Sequence, residues 1–274
     1  SKYGLGYVRP EAPMISVFPD GQTLAIHTDR EKNIEEIAKF SAKDAENYRR
    51  FSESAASYLP ALIGTLYTPP APVGAMYAMM DQSREGREMM HVMMKSAYDI
   101  VMENFEDERV RLHFMRMVSE NLTGPEEKGT GIGPFIFLGF LEKYGIGVAK
   151  GGSGQLSQAL VDCIEDHGGE IMTGTSISKV LVSDGRATGV LTDDGREIKA
   201  NDAVIGAIHP HLLPKMVDGL EPFVARTAEN VELSANCVFT IHAALDEPLQ
   251  FAAGDHVKKA MMIELLPESM DVLR

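Results

Sequence analysis

The sequence contains no tryptophan and only two cysteines, and both shortages narrow the class of protein. Two thiols, Cys163 and Cys237, cannot build the disulfide framework on which small secreted domains depend. They predict a reducing compartment and, for each cysteine, a small buried apolar role. Positive charge is also scarce, because 26 Lys and Arg against 40 Asp and Glu leave a net charge of −14 at pH 7. A field of that sign repels phosphate backbones and predicts that nucleic acid is not a partner.

Long apolar runs are missing as well. No stretch reaches the roughly 18 residues that a membrane-spanning helix needs, and residues 1–20 lack the basic-then-apolar pattern of a secretory signal. These observations predict a cytoplasmic protein. The bulk composition, with 44% hydrophobic and 24% charged residues, is ordinary for a globular chain with one large or two moderate domains.

Residues 1–147 predict a β-hairpin followed by helices. Strands at Met14–Phe18 and Thr23–Ile26 flank a Pro-Asp-Gly turn. Helices are predicted over Asn33–Phe40 after a capping box of Thr28 and Glu31, from Ser41 to Tyr58, from Asp81 to Phe105, and from Asp107 to Leu122. The third of these carries a methionine stripe at helical spacing. It indicates core packing or an adaptable ligand wall, and both alternatives stay open.

The stretch from Gly129 to Gly147 is rich in glycine and aromatic residues. Glycine permits close approach of the backbone, and phenylalanine supplies apolar wall. The predicted substrate-lining residues are Phe135, Phe137, Phe140 and Tyr144. A tightly packed helix without a ligand, or a membrane-facing surface, are the alternatives for the same pattern.

Residues 148–210 differ in period and composition, which predicts domain boundaries near 147 and 210. A helix is predicted over Gln155–His167 and a β-region over Glu170–Val182. Turns at Asp184-Gly185 and Asp194-Gly195 then indicate a β-meander. The run Ala203–Ala207 is wholly apolar and predicts a strand inside a parallel sheet. Residues 211–274 predict helices near His211–Met216 and Pro222–Thr227 and strands around Ala235–Ala244 and Lys259–Leu265.

The common phosphate-binding and catalytic motifs are absent. The segment Gly152–Ser157 imitates G-x-G-x-x-G, but it lacks the buried strand before it and the ribose-binding acid after it. Neither a P-loop nor a G-x-S-x-G nucleophile motif occurs. His209 and His211 have no nearby cysteine or carboxylate to complete a metal site, so no metal is predicted. No catalytic residue is predicted from the sequence.

Four motifs between residues 151 and 210 carry a family resemblance. They are Gly151-Gly152-Ser153-Gly154 before a helix, Gly185-Arg186-Ala187-Thr188-Gly189-Val190, the turn Asp194-Gly195, and Asn201-Asp202-Ala203-Val204-Ile205 through Pro210. On these motifs the chain resembles the phytoene desaturase and carotenoid isomerase group of FAD-dependent, amine-oxidase-like flavoproteins. The similarity covers most of the chain in outline, and its motifs are specific to the superfamily more than to any one reaction.

The resemblance implies an α+β (α/β) fold. Residues 1–147 and 211–274 would form a helical and β substrate-side domain, and residues 148–210 a strand–helix–meander part of a two-dinucleotide-binding-domain FAD fold. It also implies cofactor contacts at Gly151, Gly152, Gly154, Ile177 and Ala207. The family's pyrophosphate loop and its second flavin motif match no residues here. The resemblance therefore implies an internal portion of a longer flavoprotein, one that binds FAD poorly by itself.

The functional prediction follows from that resemblance. The chain is expected to be a portion of an FAD-dependent oxidoreductase of the desaturase, dehydrogenase or isomerase kind. The small-molecule substrate would be apolar or amine-bearing and would give a hydride to the flavin. The alternative is a non-catalytic binding or assembly module that keeps the fold without FAD. Exposed apolar faces leave peripheral membrane contact and a homodimer open as further expectations.

Overall fold

A computed structural model of the chain describes residues 2–119, 123–234 and 238–273. These residues divide into two compact units. The first comprises the described residues up to Leu156 together with those from 238 onward, and the second comprises residues 157–234. Helices and strands occur in both units, which confirms the predicted α+β class. The assignment of residues 1–147, 148–210 and 211–274 to substrate-side and cofactor domains stays a prediction.

The described part of the chain contains the following elements, numbered in chain order. They are β1 (Tyr7–Val8), β2 (Ala12–Val17), β3 (Thr23–Ile26), α1 (Arg30–Ala38), α2 (Ala42–Leu66), α3 (Val73–Met80), α4 (Arg84–Met94), α5 (Ala97–Asn104), α6 (Glu108–Ser119), α7 (Gly133–Tyr144), β4 (Val148–Ala149), α8 (Gly154–Asp166), β5 (Ile177–Ser183), β6 (Arg186–Thr192), β7 (Glu197–Lys199), α9 (Leu213–Met216), α10 (Pro222–Glu229), β8 (Ala260–Leu265) and α11 (Met270–Leu273). Short 3-10 turns precede α9, at Pro210–Leu212, and β8, at Asp255–Lys259.

The first unit is built on a three-stranded sheet in the order β3-β2-β8. β2 pairs antiparallel with β3, so the predicted hairpin is confirmed, and it pairs parallel with β8. Five of the six residues of β2 are buried. A central strand covered on both faces explains the nearly continuous apolar run Ala12–Val17, in which Ser16 alone is polar. β1 and β4 form a separate antiparallel pair.

The helix starts show where local side chains satisfy the free backbone N–H groups. α1 begins after Asp29, whose carboxylate accepts from the N–H groups of Glu31 and Lys32, so the predicted cap at Thr28 was wrong by one residue. Ser41 caps α2 as predicted, by accepting from the N–H of Asp44. Aspartate is preferred to threonine at an N-cap, which agrees with a helix start after Asp29.

α2 continues past Pro60 to Leu66, and the predicted end near Tyr58 was wrong. Proline lacks an N–H, so the carbonyl of Ala56 loses its helical partner. Both Ala56 and Pro60 are exposed, and water can satisfy that carbonyl. The helix therefore tolerates the proline on its solvent side.

The single long helix predicted over Asp81–Phe105 was also wrong, because α4 and α5 are separate helices. The break falls at Ser96, whose hydroxyl accepts from the N–H of Asp99 while the Asp99 carboxylate accepts from the N–H of Ser96. This reciprocal capping box starts a new helix. The methionines of α4 do not share one environment, since Met89 is buried and Met94 is 58% exposed.

The core of the first unit is aromatic and lies between α2, α5, α6 and α7. Phe135 stacks on Phe51 with ring centroids 4.2 Å apart, and Phe105 stacks on Phe114 at 4.5 Å. α2 and α7 approach closely at Gly139, where an added Cβ would lie 3.1 Å from the carbonyl oxygen of Ala55. Glycine at this position is what permits the two helices to pack so tightly.

The second unit contains the predicted β-meander, which the structure confirms as an antiparallel sheet in the order β5-β6-β7. A parallel bridge joins Val180 to Val217, and Lys179 Nζ lies 2.5 Å from Asp218 Oδ1 beside it. The helices predicted near His211–Met216 and Pro222–Thr227 are confirmed as α9 and α10.

Two predicted strands are not formed. Residues 203–207 are not in a strand, and Ile205 is 93% exposed. Residues 238–244 are likewise non-strand and exposed, while 235–237 lie outside the described residues. A wholly apolar strand is stable only between neighbouring strands, and among the described residues none pairs with either segment.

Of the predictions for the two cysteines and for the end of α6, the structure tests only the one for Cys163. Cys163 is half-buried on α8, so the predicted buried role was wrong. Cys237 and the predicted helix end at Leu122 lie outside the described residues.

Candidate ligand sites around helix α7

Helix α7 separates two differently lined cavities of the first unit. Pro134 stands in its first turn, where the missing N–H costs nothing, and Gly145 ends it with φ +68°. Leu138 and Leu141 are buried in the core. Because the helix is apolar nearly all round, side chains remain for a second apolar surface after the core is filled.

That second surface is a cavity of about 370 Å³. It is lined by Gly133, Ile136, Phe137, Phe140, Leu141, Gly145 and Ile146. None of these side chains titrates, so the cavity can bind and orient an apolar molecule but supplies no acid or base. A dry wall of this kind suits a reaction in which a cofactor performs the chemistry.

The four predicted substrate-lining residues lie in three different environments: the apolar cavity, the core and the exposed surface. Phe137 and Phe140 line the apolar cavity together. Phe135 lies in the core instead, 5% exposed and stacked on Phe51. Tyr144 is 49% exposed, with its ring centroid 5.7 Å from that of Phe140.

A polar network, absent from the sequence predictions, holds Glu142 at the opposite side of α7. Its carboxylate accepts hydrogen bonds from Tyr48 Oη at 2.7 Å, Ser52 Oγ at 2.6 Å and Arg30 Nη2 at 3.2 Å. The Glu142 side chain is 11% exposed, and Tyr48 is fully buried. Burial, together with the charge of Glu142, raises the pKa of Tyr48 well above its ordinary value, so the phenol stays a donor.

The Glu142 carboxylate borders a second, more polar cavity of about 530 Å³. Its lining comprises Thr28, Arg30, Glu31, Ala56, Leu59, Gly139, Glu142 and Lys143. Since three donors already occupy the Glu142 carboxylate, its role here is to fix α2 against α7. The signal in the sequence was the one acid that interrupts an apolar helix.

A buried serine–histidine pair lies elsewhere in the first unit. Ser16 Oγ and His113 Nδ1 are 2.7 Å apart, and the two residues are 0% and 1% exposed. Burial lowers the pKa of His113 to about 3, so the imidazole is neutral at physiological pH. Both groups lie in the closed core, where no substrate can reach them, and the pair serves packing and hydrogen bonding instead of nucleophilic catalysis.

The predicted cofactor-binding residues comprise a glycine-rich turn and two residues of the second unit. Gly151 and Gly152 have φ angles of +91° and +99°, and α8 begins at Gly154. A Cβ added at Gly152 or Gly154 would meet nothing within 4 Å, so a ligand can approach this turn closely. The three glycines belong to the first unit. Ile177, half-buried at the start of β5, and Ala207, exposed in a loop, belong to the second.

Among residues 2–119, 123–234 and 238–273, no group of three or more His, Cys, Asp or Glu side chains is arranged to hold a metal ion. His209 and His211 lie side by side, with ring centroids 4.6 Å apart. Within the same residues, every helix is too short or too polar to cross a bilayer.

Comparison with known proteins finds a diapophytoene desaturase and a phytoene desaturase among the chain's relatives, and the resemblance predicted from the motifs is confirmed. A 4,4'-diapophytoene desaturase (4,4'-diapolycopene-forming) of a Methylomonas species is 23% identical over 87% of this chain and 46% of its own length. A lycopene-forming phytoene desaturase of Pseudescherichia vulneris is 27% identical over 88% of this chain and 49% of its own. A limonene dehydrogenase polypeptide of Castellaniella defragrans is 22% identical over 92% and 48%. The chain thus spans about half the length of the curated relatives it matches.

Two solved structures align with most of the chain at low sequence identity. An oxidoreductase of Methanosarcina mazei aligns with a TM-score of 0.49 at 17% identity, over 78% of this chain and 43% of the other. A putrescine oxidase variant aligns with a TM-score of 0.45 at 12% identity, over 83% and 48%. No protein-family model matches the chain.

Proposed function

We propose that this chain is a portion of an FAD-dependent oxidoreductase, and that it binds an apolar, terpenoid-like substrate in the cavity along α7. The observation that carries the proposal is that cavity, whose lining contains no charged side chain and presents Phe137 and Phe140. The curated relatives support the same class, because they are named as desaturases of carotenoid precursors and as a limonene dehydrogenase. Their names favour an enzyme over a non-catalytic module.

The protein's own contribution to such a reaction is binding, orientation and exclusion of water. Burying a hydrocarbon against apolar walls stabilises the complex by about 25 cal/mol per Å² of apolar surface removed from water. Aromatic rings also hold a planar polyene by stacking. FAD, when bound, supplies the hydride acceptor. The backbone at Gly152 and Gly154 is open enough for such a cofactor to approach it without meeting a side chain. Gly151, Ile177 and Ala207 stay cofactor contacts that the family resemblance implies.

Retinol, a fluorescent apolar polyene, tests the cavity directly. Titration into the 274-residue protein is expected to raise retinol fluorescence with saturation at one site. Phe140→Glu places a charge in the cavity wall and is expected to weaken binding roughly tenfold or more, because a buried unpaired carboxylate is strongly disfavoured.

Tyr144→Glu is the matched control. It changes charge equally, one helical turn away, at a residue that does not line the cavity. Equal binding by the wild type and Phe140→Glu would refute the proposed site. Equal loss in the two variants would assign the effect to charge and not to the cavity.

A further inference from the structure

The more polar of the two cavities beside α7 has no part in the proposed function. Its volume is about 530 Å³, and its lining comes from α1, α2 and α7 together with Thr28. That volume lies within the range of small-molecule sites, which is about 300–1,000 Å³. We call it the polar cavity. Its charges indicate what kind of molecule it fits.

Two acids and two bases line the polar cavity, and three of these four charges have partners. Glu142 Oε2 lies 3.2 Å from Arg30 Nη2, so those two are paired with each other. The two carboxylate oxygens of Glu31 accept from the guanidinium of Arg49, at 2.8 and 3.0 Å. The exception is Lys143, whose ammonium makes no ion pair within the part of the chain that the structure describes. The polar cavity therefore contains one positive charge that is available to a ligand.

The rest of the lining adds an uncharged donor and an apolar wall. Among the described residues, none makes a hydrogen bond with the hydroxyl of Thr28. Ala56, Leu59 and Gly139 contribute surface without polar side chains. A ligand that satisfies this set carries one negative charge and a short aliphatic part.

We propose that the polar cavity binds an aliphatic monocarboxylate. The Lys143 ammonium and the Thr28 hydroxyl donate to the carboxylate, and hydrogen bonds to an ionised acceptor are the stronger kind. The aliphatic part lies along Ala56, Leu59 and Gly139. A monoanion fits better than a dianion, because the two acids of the lining remain negative and would repel a second charge.

The proposal goes beyond the proposed function and does not depend on it. The polar cavity shares no lining residue with the apolar cavity, and α7 stands between the two. A carboxylate can therefore bind whether or not an apolar substrate does.

The test is a titration of octanoate into the 274-residue protein at pH 7, followed by ligand-observed NMR. The wild type is expected to bind octanoate with saturation, and octylamine should not displace it. Lys143→Met removes the charge and its donors, and it is expected to weaken binding by roughly tenfold, the effect of losing one hydrogen bond to a charged group. Lys143→Arg keeps a positive charge and donors, and it is expected to bind like the wild type.

Lys32→Met is the matched control. It removes the same charge from an exposed residue of α1 that does not line the polar cavity, and it is expected to bind like the wild type. Circular dichroism should show the same helicity in all four proteins. Retinol, the probe for the apolar cavity, should not displace octanoate.

Four results overturn the proposal. They are a wild type without saturable octanoate binding, equal binding by the wild type and Lys143→Met, equal loss in Lys143→Met and Lys32→Met, and displacement of octanoate by retinol. The third result would assign the effect to net charge, and the fourth would place octanoate in the apolar cavity. Failure of retinol itself to bind would count against the proposed function and not against this one.

Discussion

Replacing Glu142 by alanine is expected to destabilise the first unit more than any exposed charge deletion. The change leaves the Tyr48 and Ser52 hydroxyls without their acceptor and Arg30 without its counter-ion. Each buried hydroxyl that loses its partner costs about 1–3 kcal/mol. Arg30 is 32% exposed, so its ion pair adds little beyond this. The expected loss is therefore about 3 kcal/mol, at the lower end of the range for breaking a buried ion pair.

The assay is urea unfolding followed by far-ultraviolet circular dichroism at pH 7. Glu88→Ala is the control, because Glu88 is 53% exposed and bonds Arg84 on the same exposed helix turn. Such a pair is worth about 0.3–0.5 kcal/mol. A double variant, Glu142→Leu with Tyr48→Phe, removes acceptor and donor together and should recover part of the loss. If Glu142→Ala unfolds at the same urea concentration as Glu88→Ala, the network does not hold α2 against α7 and the reasoning is wrong.

Four further predictions concern pH, capping, packing and the cofactor. Burial lowers the folded-state pKa of His113 to about 3. In the unfolded chain the pKa of His113 is near 6.5. At a pH between the unfolded-state and folded-state pKa values, His113 is protonated only in the unfolded chain, so the free energy of unfolding decreases with falling pH by up to about 1.4 kcal/mol per pH unit. In urea unfolding from pH 7 to 4, His113→Asn should show a shallower fall than the wild type, and parallel curves would contradict this. Ser96→Ala removes the capping box of α5 and should cost about 1 kcal/mol in the same assay, whereas the exposed Ser57→Ala should change stability little. Gly139→Leu should destabilise by about 1–3 kcal/mol through overpacking against Ala55, whereas Gly74→Ala, at an open position of α3, should stabilise by up to about 1 kcal/mol. The family resemblance predicts weak FAD binding by these 274 residues, and flavin absorbance at one FAD per purified chain would refute that.

Local patterns predicted the parts of the fold that local interactions decide. The hairpin around Asp20-Gly21, the cap at Ser41 and the β-meander after Asp184-Gly185 all formed as expected. Each depends on residues close together in sequence, whose turn and capping preferences can be recognised without knowing the rest of the fold.

The predictions were wrong where contacts distant in sequence, or competing local signals, determine the secondary structure. The strand predicted at Ala203–Ala207 needs neighbours on both edges, and an apolar composition alone does not provide them. The break at Ser96 was hidden because Ala97 and Val101 continue the helical apolar spacing of the methionines before it, whereas the Ser96–Asp99 capping box starts a new helix there.

The sequence predicted only part of the candidate site. The phenylalanine-rich stretch indicated α7, but which rings face the cavity depends on how the helix packs, and Phe135 turned to the core. Glu142 was overlooked, since its three hydrogen-bond donors come from α1 and α2, far away in sequence. A lone acid within an apolar helix is the signal that could have identified it.

Photolabelling tests the central claim most directly, namely that the α7 cavity is the binding site for an apolar substrate. A polyene bearing a diazirine, irradiated in complex with the protein and mapped by mass spectrometry, is predicted to label Phe137, Phe140 or Ile146, and unlabelled retinol should compete with it. Labelling spread over the exposed apolar residues, with none at α7 and no competition, would contradict the claim.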